Sequence, residues 1–242
     1  MNVLIPMAGK GSRFLNAGYK NPKPLIDVDG IPMIELVINN IGLHYKYIFV
    51  VQKEHVEKFN LDKILKSKSP DCKIVIINEV TEGAACTALL ASKYINNSEP
   101  LLIANSDQYL EWKDEKKFPT EFIDGNIVTF KSRDSNCSYV KEVDGKITEC
   151  REKERISETA TVGLYHWSRG SDFVKYANIM IDKNIRVNNE FYICPVYNEA
   201  IKDGKVIKSI PAKYVWQIGT PKDLNVFLAN KGNIDNCGWQ DF

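Results

Sequence analysis

The chain has 242 residues, of which 44% are hydrophobic and 26% charged, ordinary proportions for a globular protein with a sizeable core. Its 32 Lys and Arg against 31 Asp and Glu leave a formal charge of +1, which argues against binding nucleic acid or an anionic membrane through bulk charge. No run approaches the roughly 20 apolar residues that span a bilayer, so no membrane insertion is expected.

Met1–Met7 is apolar, but no basic region precedes it and it runs at once into Gly and Lys. It reads as a buried strand of a cytoplasmic protein rather than a signal peptide. Val3–Met7, Tyr47–Val51, Lys73–Ile77 and Leu101–Ala104 are short runs rich in Val, Ile and Leu, the pattern of strands buried on both faces of a parallel sheet. Between them Met33–Ile41, His55–Leu65 and Ala84–Tyr94 carry apolar residues at helical spacing. The alternation predicts a doubly wound α/β layer with right-handed crossovers. The second half is expected to be richer in β-structure. There Glu111–Lys117 reads as a solvated charged loop. Asp124-Gly125-Asn126 and Asp144-Gly145-Lys146 carry turn residues between the alternating runs Ile127–Lys131, Tyr139–Val143 and Ile147–Cys150, so both are expected to turn antiparallel hairpins. Thr159–Trp167 predicts a further strand, and Asp172–Ile181 and Tyr192–Lys202 predict helices. No repeat, linker or charge block divides the chain, so a single domain over residues 1–242 is expected.

Cys72, Cys86, Cys137, Cys150, Cys194 and Cys237 are far apart in sequence, which excludes the close-paired spacing of zinc sites and redox pairs. Without an export signal they are expected to be reduced thiols. His44, His55 and His166 are scattered, so any divalent metal must be held by oxygen ligands.

Chemistry first shows at Met7-Ala8-Gly9-Lys10-Gly11-Ser12-Arg13, directly after the first strand. Small residues at Ala8, Gly9 and Gly11 let the main chain approach a ligand, and successive N–H groups there can face phosphate oxygens. No Gly-Lys-Ser/Thr follows, so this is not a Walker A loop, and Phe14 stands where a dinucleotide fingerprint needs its third Gly. Ten positions after Arg13, Lys23 is bracketed by Pro22 and Pro24, which stiffen its backbone. Two rigidly presented cations suit a polyanion, Arg13 with a planar fork and Lys23 with a point charge.

These motifs, continued by Asp29-Gly30-Ile31-Pro32, Gly83-Ala84-Ala85, Asn105-Ser106-Asp107-Gln108, Glu152-Lys153, Ala160–Tyr165, Asn189–Tyr192 and Gly219–Leu224, resemble the signature of the sugar-nucleotidyltransferases (nucleotide-sugar pyrophosphorylases). The likeness covers nearly the whole chain in the family's order. The opening Ile5-Pro6-Met7-Ala8-Gly9 is most similar to the branch found in bacterial capsular polysaccharide loci.

The resemblance implies a Rossmann-like, glycosyltransferase A-like mixed sheet and an Mg²⁺-dependent transfer of a nucleoside monophosphate from an NTP to a phosphorylated small molecule. Residues 1–110 would form the nucleotide-binding half and 111–242 the acceptor-binding half. Arg13 would meet the β- and γ-phosphates, and Lys23 the α-phosphate or the attacking phosphate. Met7, Ala8, Gly9, Gly11 and Ser12 would line the nucleotide, with the base near Glu82, Gly83 and Ala84. A carboxylate at Glu82 or Glu79 could accept from a cytosine amino group and repel the O4 carbonyl of uracil or thymine, which favours CTP. Asp107 would be the metal ligand. The family's second carboxylate is replaced here by Gln217 or Ile218, leaving water, substrate oxygens or Glu190 to complete the shell. Glu152, Lys153, Gly163, Asn189 and Glu190 would meet the acceptor, as could Tyr192 unless it is a packed aromatic. Family habit suggests a homo-oligomer. A non-sugar acceptor such as phosphocholine or phosphoglutamine stays open. So do a nucleotide-sugar glycosyltransferase, disfavoured because Asp107 is followed by Gln108 and Tyr109 rather than forming Asp-x-Asp, and a non-catalytic nucleotide-binding regulator.

Overall fold

The computed structural model describes residues 1–112 and 123–230. The chain begins with strand β1 (Asn2–Pro6), and a turn leads to the short helix α1 (Ser12–Asn16). A 3₁₀ turn at Lys23–Leu25 precedes a small hairpin of β2 (Asp27–Val28) and β3 (Ile31–Pro32), then helix α2 (Met33–Ile41). Strand β4 (Lys46–Gln52), helices α3 (Lys53–Phe59) and α4 (Leu61–Lys68), and strand β5 (Lys73–Ile77) complete the next crossover. Helices α5 (Ala84–Leu89) and α6 (Ser92–Ile95) lead to β6 (Leu101–Ala104).

These first strands form the parallel part of the sheet, β1 lying between β4 and β6 with β5 outside β4. Their side chains alternate between two cores, as a period of two requires. Val3, Ile5, Tyr47, Phe49 and Val51 face Val37, Ile38, Ile41, Leu61 and Leu65 of α2 and α4. Leu4, Ile48 and Val50 belong instead to the core containing Ala85, Ala88 and Ile95 of α5 and α6.

The second half continues as β7 (Gln108–Trp112), β8 (Gly125–Lys131), β9 (Ser138–Val143), β10 (Lys146–Glu152) and β11 (Thr159–Trp167). Helices α7 (Gly170–Asp182) and α8 (Val196–Lys202), strand β12 (Ile207–Gln217) and helix α9 (Pro221–Asn230) follow. The path of the sheet is β5-β4-β1-β6-β11-β8-β12-β7, with the β9–β10 hairpin attached to β11. It is mixed: β11 runs antiparallel to β6 and β8, β12 parallel to β8, and β7 antiparallel to β12. The doubly wound α/β expectation with a β-rich second half holds.

Several local expectations do not. Asp124-Gly125-Asn126 is no turn; Gly125 and Asn126 open the buried strand β8. Asp124 is held by Val206 N–H (2.9 Å) and Lys205 Nζ (2.8 Å) instead of by a partner across a loop. Glu111 and Trp112, expected in a solvated loop, lie in β7, where Glu111 pairs with Lys213 of β12 at 2.7 Å; Lys113–Lys117 lie outside the described residues, as does Cys237. The span His55–Leu65 is two helices, because Asn60 adopts the left-handed conformation (φ 52°) and ends one while starting the next. Ala84–Tyr94 likewise divides into α5 and α6, and α8 starts only after Pro195, not at Tyr192. The other five cysteines are free thiols.

A third, smaller core fixes the site. Phe14 of α1, Ile26, Val28 of β2, Met33 of α2, Trp216 of β12, Ile218, and Leu224 and Phe227 of α9 pack together. It ties the segment after β1 to β12 and α9.

Candidate active site

Strand β1 ends by burying Met7 and Ala8. Met7 N–H donates to Val50 O at 3.0 Å, and Ala8 O accepts from Gln52 Nε2 at 2.7 Å, so the start of the loop is rigid. Gly9 is open, with nothing near the position a Cβ would occupy. Gly11 adopts φ +63°, and a Cβ there would sit 3.0 Å from Lys23 Cβ. The left-handed turn therefore lets the Pro-bracketed segment close onto the loop. Ser12 and Arg13 follow in the first turn of α1, anchored by buried Phe14.

Lys23 Nζ donates to a carboxylate oxygen of Asp107, and both side chains are about three-quarters buried. Asp107 lies just beyond the carboxyl end of β6, where open α/β sheets hold ligands. Its backbone carbonyl accepts from Ile218 N–H at 2.9 Å. A Cβ on Gly219 would lie 2.3 Å from Asp107 Oδ2, so glycine there keeps the carboxylate accessible.

Beside this pair is a polar cavity of about 190 Å³ lined by Arg13, Asp107, Glu152 and Gly163, among others. Gly163 sits at a register irregularity of β11 with φ +94°, and a Cβ would be 2.3 Å from Asn105 Nδ2. The bare main chain makes room for Asn105. Glu152 is 9% exposed and accepts a hydrogen bond from the Ser138 hydroxyl. Burial raises its carboxyl pKa above the ordinary value, against the opposing effects of Ser138 and Lys153.

A second cluster lies next to the start of α5. Phe191 N–H donates to Glu82 O (2.8 Å), and Ala85 N–H donates to Phe191 O (3.0 Å), which brings residues 189–192 against Glu82–Ala84. A Cβ on Gly83 would lie 2.4 Å from Phe191 O, so this glycine answers to main-chain packing. Glu82 pairs with Arg186 at 2.7 Å. Lys153, in the left-handed conformation, donates to the Tyr192 hydroxyl at 2.7 Å and lies over its ring. Asn189 and Glu190 are exposed, Asn189 with φ 62°.

The structure thus gathers Arg13, Asp107, Glu152 and Gly163 at one cavity, with Lys23 held to it through Asp107, and places Glu82, Gly83, Lys153, Glu190 and Tyr192 in a second cluster. Sequence reasoning assigned no role to the cavity residues Asn105, Thr161, Thr220 and Asp223, although each lies inside a motif stretch. Asn136 and Ser138 line it too, and no local signal marks them.

The Nucleotidyl transferase family model matches residues 2–231. The chain belongs to this nucleotidyl transferase family. It is 25% identical over 231 residues to the bifunctional protein GlmU of Methanococcus aeolicus, covering 93% of this chain and 53% of that protein. The GlmU of Methanocaldococcus jannaschii is 25% identical over 244 residues, 98% of this chain and 57% of the relative. The chain therefore spans little more than half the length of these relatives. The crystal structure of the nucleoside-diphosphate-sugar pyrophosphorylase from Vibrio cholerae RC9 superposes with a TM-score of 0.82 at 25% identity, covering 94% of this chain and 99% of that one. A UDP-glucose pyrophosphorylase complexed with UDP-glucose shares the fold, with a TM-score of 0.73 at 15% identity over 96% and 98% of the two chains.

In this nucleotidyl transferase chain, among the described residues, no three His, Cys, Asp or Glu side chains converge as a metal cage. The accessible carboxylate of Asp107 beside bare Gly219 suits a hard cation that takes its remaining ligands from phosphate oxygens and water, the usual mode for Mg²⁺. Gln217, which stands in place of the family's second carboxylate, lines the same cavity and directs its amide toward Cys137 Sγ at 3.5 Å. No helix among the described residues is long and apolar enough to cross a membrane.

Proposed function

We propose that this chain transfers a nucleoside monophosphate from a nucleoside triphosphate, preferably CTP, to a phosphorylated small molecule, foremost a sugar phosphate, and releases pyrophosphate. The convergence of Arg13, Lys23 and Asp107 at the carboxyl ends of β1 and β6 carries this reading. An oxygen of the acceptor phosphate forms a bond to the α-phosphorus. The bond from that phosphorus to the αβ-bridging oxygen breaks, and pyrophosphate departs with the electron pair. The attacking oxygen is already anionic, so no general base is required, and positioning and charge carry the catalysis.

Arg13 offers its fork to the β- and γ-phosphates. Lys23 exchanges Asp107 for oxygens of the α-phosphate or the attacking phosphate, which leaves Asp107 to hold Mg²⁺. When bound, the metal would neutralise developing charge on the phosphate oxygens. Residues 1–110 serve the nucleotide through the Met7–Ser12 segment and through Glu82, Gly83 and Ala84. Residues 111–242 serve the acceptor through Glu152, Lys153, Gly163, Asn189 and Glu190. The polar side chains of the 190 Å³ cavity favour an acceptor rich in hydroxyl groups. Glu82, 64% exposed on its side chain, supports CTP, since its carboxylate can accept from a cytosine amino group while it shares Arg186. The product would feed surface or capsular polysaccharide assembly in the cytoplasm.

Pyrophosphate release with CTP, UTP, dTTP and GTP, each against phosphorylated sugars, phosphocholine and phosphoglutamine, tests the reading. The fastest turnover is expected with CTP and a sugar phosphate. Another base far ahead of CTP removes the carboxylate argument, and no release with any pair overturns the proposal.

A further inference from the structure

We propose that Arg133 and Lys222 complete, with Arg13, a seat for the β- and γ-phosphates and for the pyrophosphate they become; the assignment rests on the transfer reaction above. Outside the 190 Å³ cavity lies a larger one of about 940 Å³, and the two share Arg13, Asn136, Gln217, Thr220 and Asp223. Arg13, Arg133 and Lys222 line the larger cavity, and none of the three has an ion-pair partner among the described residues. Three cations against the two carboxylates Asp134 and Asp223 leave this space with a net positive charge, which an anion seated among the cations relieves.

The two carboxylates on the same cavity are already engaged. Asp134 Oδ1 accepts from Asn136 N–H at 2.9 Å and from Asn136 Nδ2 at 2.8 Å. Asp223 Oδ2 accepts from the Thr220 hydroxyl at 2.6 Å, while Asp223 N–H donates back to Thr220 Oγ1, a reciprocal cap at the start of α9. The turn that carries Arg133 is preset by Asp134 O, which accepts from Tyr139 Oη at 2.8 Å and from Cys137 N–H at 3.1 Å.

Trp216 supplies an independent observation. It lines the same cavity and is 2% exposed, yet its indole N–H has no acceptor among the described residues. A buried donor without a partner is costly, and a phosphate oxygen is a suitable acceptor. Sequence position also fits: Arg13 belongs to both cavities, so a triphosphate gripped by Arg13 at the inner one extends its terminal phosphates toward Arg133 and Lys222. An acceptor with a second anionic group would meet the same cations, and the test separates the two sources.

Titration calorimetry with pyrophosphate, CTP and CMP on the wild type and an Arg133→Ala/Lys222→Ala variant reads the seat directly. Both side chains are exposed, so the variant keeps its fold, which its melting temperature checks. Pyrophosphate and CTP should bind at least tenfold more weakly to the variant, whereas CMP, lacking the terminal phosphates, should bind unchanged. Pyrophosphate binding equal to wild type, or an equal loss for CMP, overturns the assignment. So does a defect confined to the KM of a carboxylated acceptor phosphate in pyrophosphate release. A wild type that binds neither CTP nor pyrophosphate sinks the transfer reaction itself instead.

Discussion

Lys23 and Asp107 neutralise one another in the free protein, while Arg13 stands without an ion pair among the described residues. Ligand binding therefore has to trade the Lys23 contact for phosphate oxygens, and Arg13 has nothing to give up. Arg13→Ala and Asp107→Asn should each lower turnover at least tenfold, roughly 1.4 kcal/mol in the barrier, as measured by pyrophosphate release. A near-wild-type rate in either removes that residue from its role. Glu152 makes a different prediction. Its folded carboxyl has a raised pKa because it is buried, so its stabilising contribution is complete below the ordinary carboxylate value and is lost as pH rises through the folded value. Glu152→Gln removes the charge while keeping the shape. Its melting temperature should equal or exceed wild type at neutral pH, with a higher acceptor KM; a lower melting temperature there would contradict the burial argument.

The same dipeptide leads to opposite outcomes in two places, which shows how far local chemistry reaches. At Asp144-Gly145 both residues take positive φ (50° and 70°) and close the β9–β10 hairpin, as the turn chemistry predicts. At Asp124-Gly125 the chain runs on into a buried strand, and a Cβ on Gly125 would lie 2.8 Å from His166 O. Glycine serves close packing there, and only the neighbouring strand reveals it. Strand β12 escaped notice because Pro211 and Lys208, Lys213 interrupt any apolar alternation, although Pro211 lies in register with Thr129. At the head of α5, Gly83→Ala would press its methyl to 2.4 Å from Phe191 O at φ +132°. A loss of at least about 2 kcal/mol is expected, read from urea unfolding. An unchanged midpoint would mean that residues 189–192 are not held there.

Across the whole molecule, the two cores on either side of the sheet absorb nearly every aliphatic side chain of the parallel strands, and the sheet also buries His166. Burial pushes the His166 pKa down to about 4, so it folds neutral where the unfolded chain is protonated. Its contribution is full above the ordinary value of 6.5 and is lost as pH falls from there toward 4. Over that window stability should fall by up to about 1.4 kcal/mol per pH unit from this group. His166→Gln should flatten the slope in chemical denaturation series, and an unaltered slope would assign the acid sensitivity elsewhere.

Much of the fold and part of the site were legible because they rest on short-range rules. Apolar runs of strand length marked β1, β4, β5 and β6. The bare Gly9–Gly11 turn, the Pro-bracketed Lys23 and an acid just past β6 marked three groups able to face phosphate. Backbone conformation depends on neighbours in the chain, so a single sequence records it. Convergence does not work that way. Lys23 meets Asp107 across 84 positions, and Asn136, Ser138 and Trp216 reach the cavities only because strand order sets β9 and β12 beside β11 and β8. The small core joining α1 to α9 completes that placement. Distances between segments follow from packing energy summed over the whole sheet, and no local pattern contains that sum.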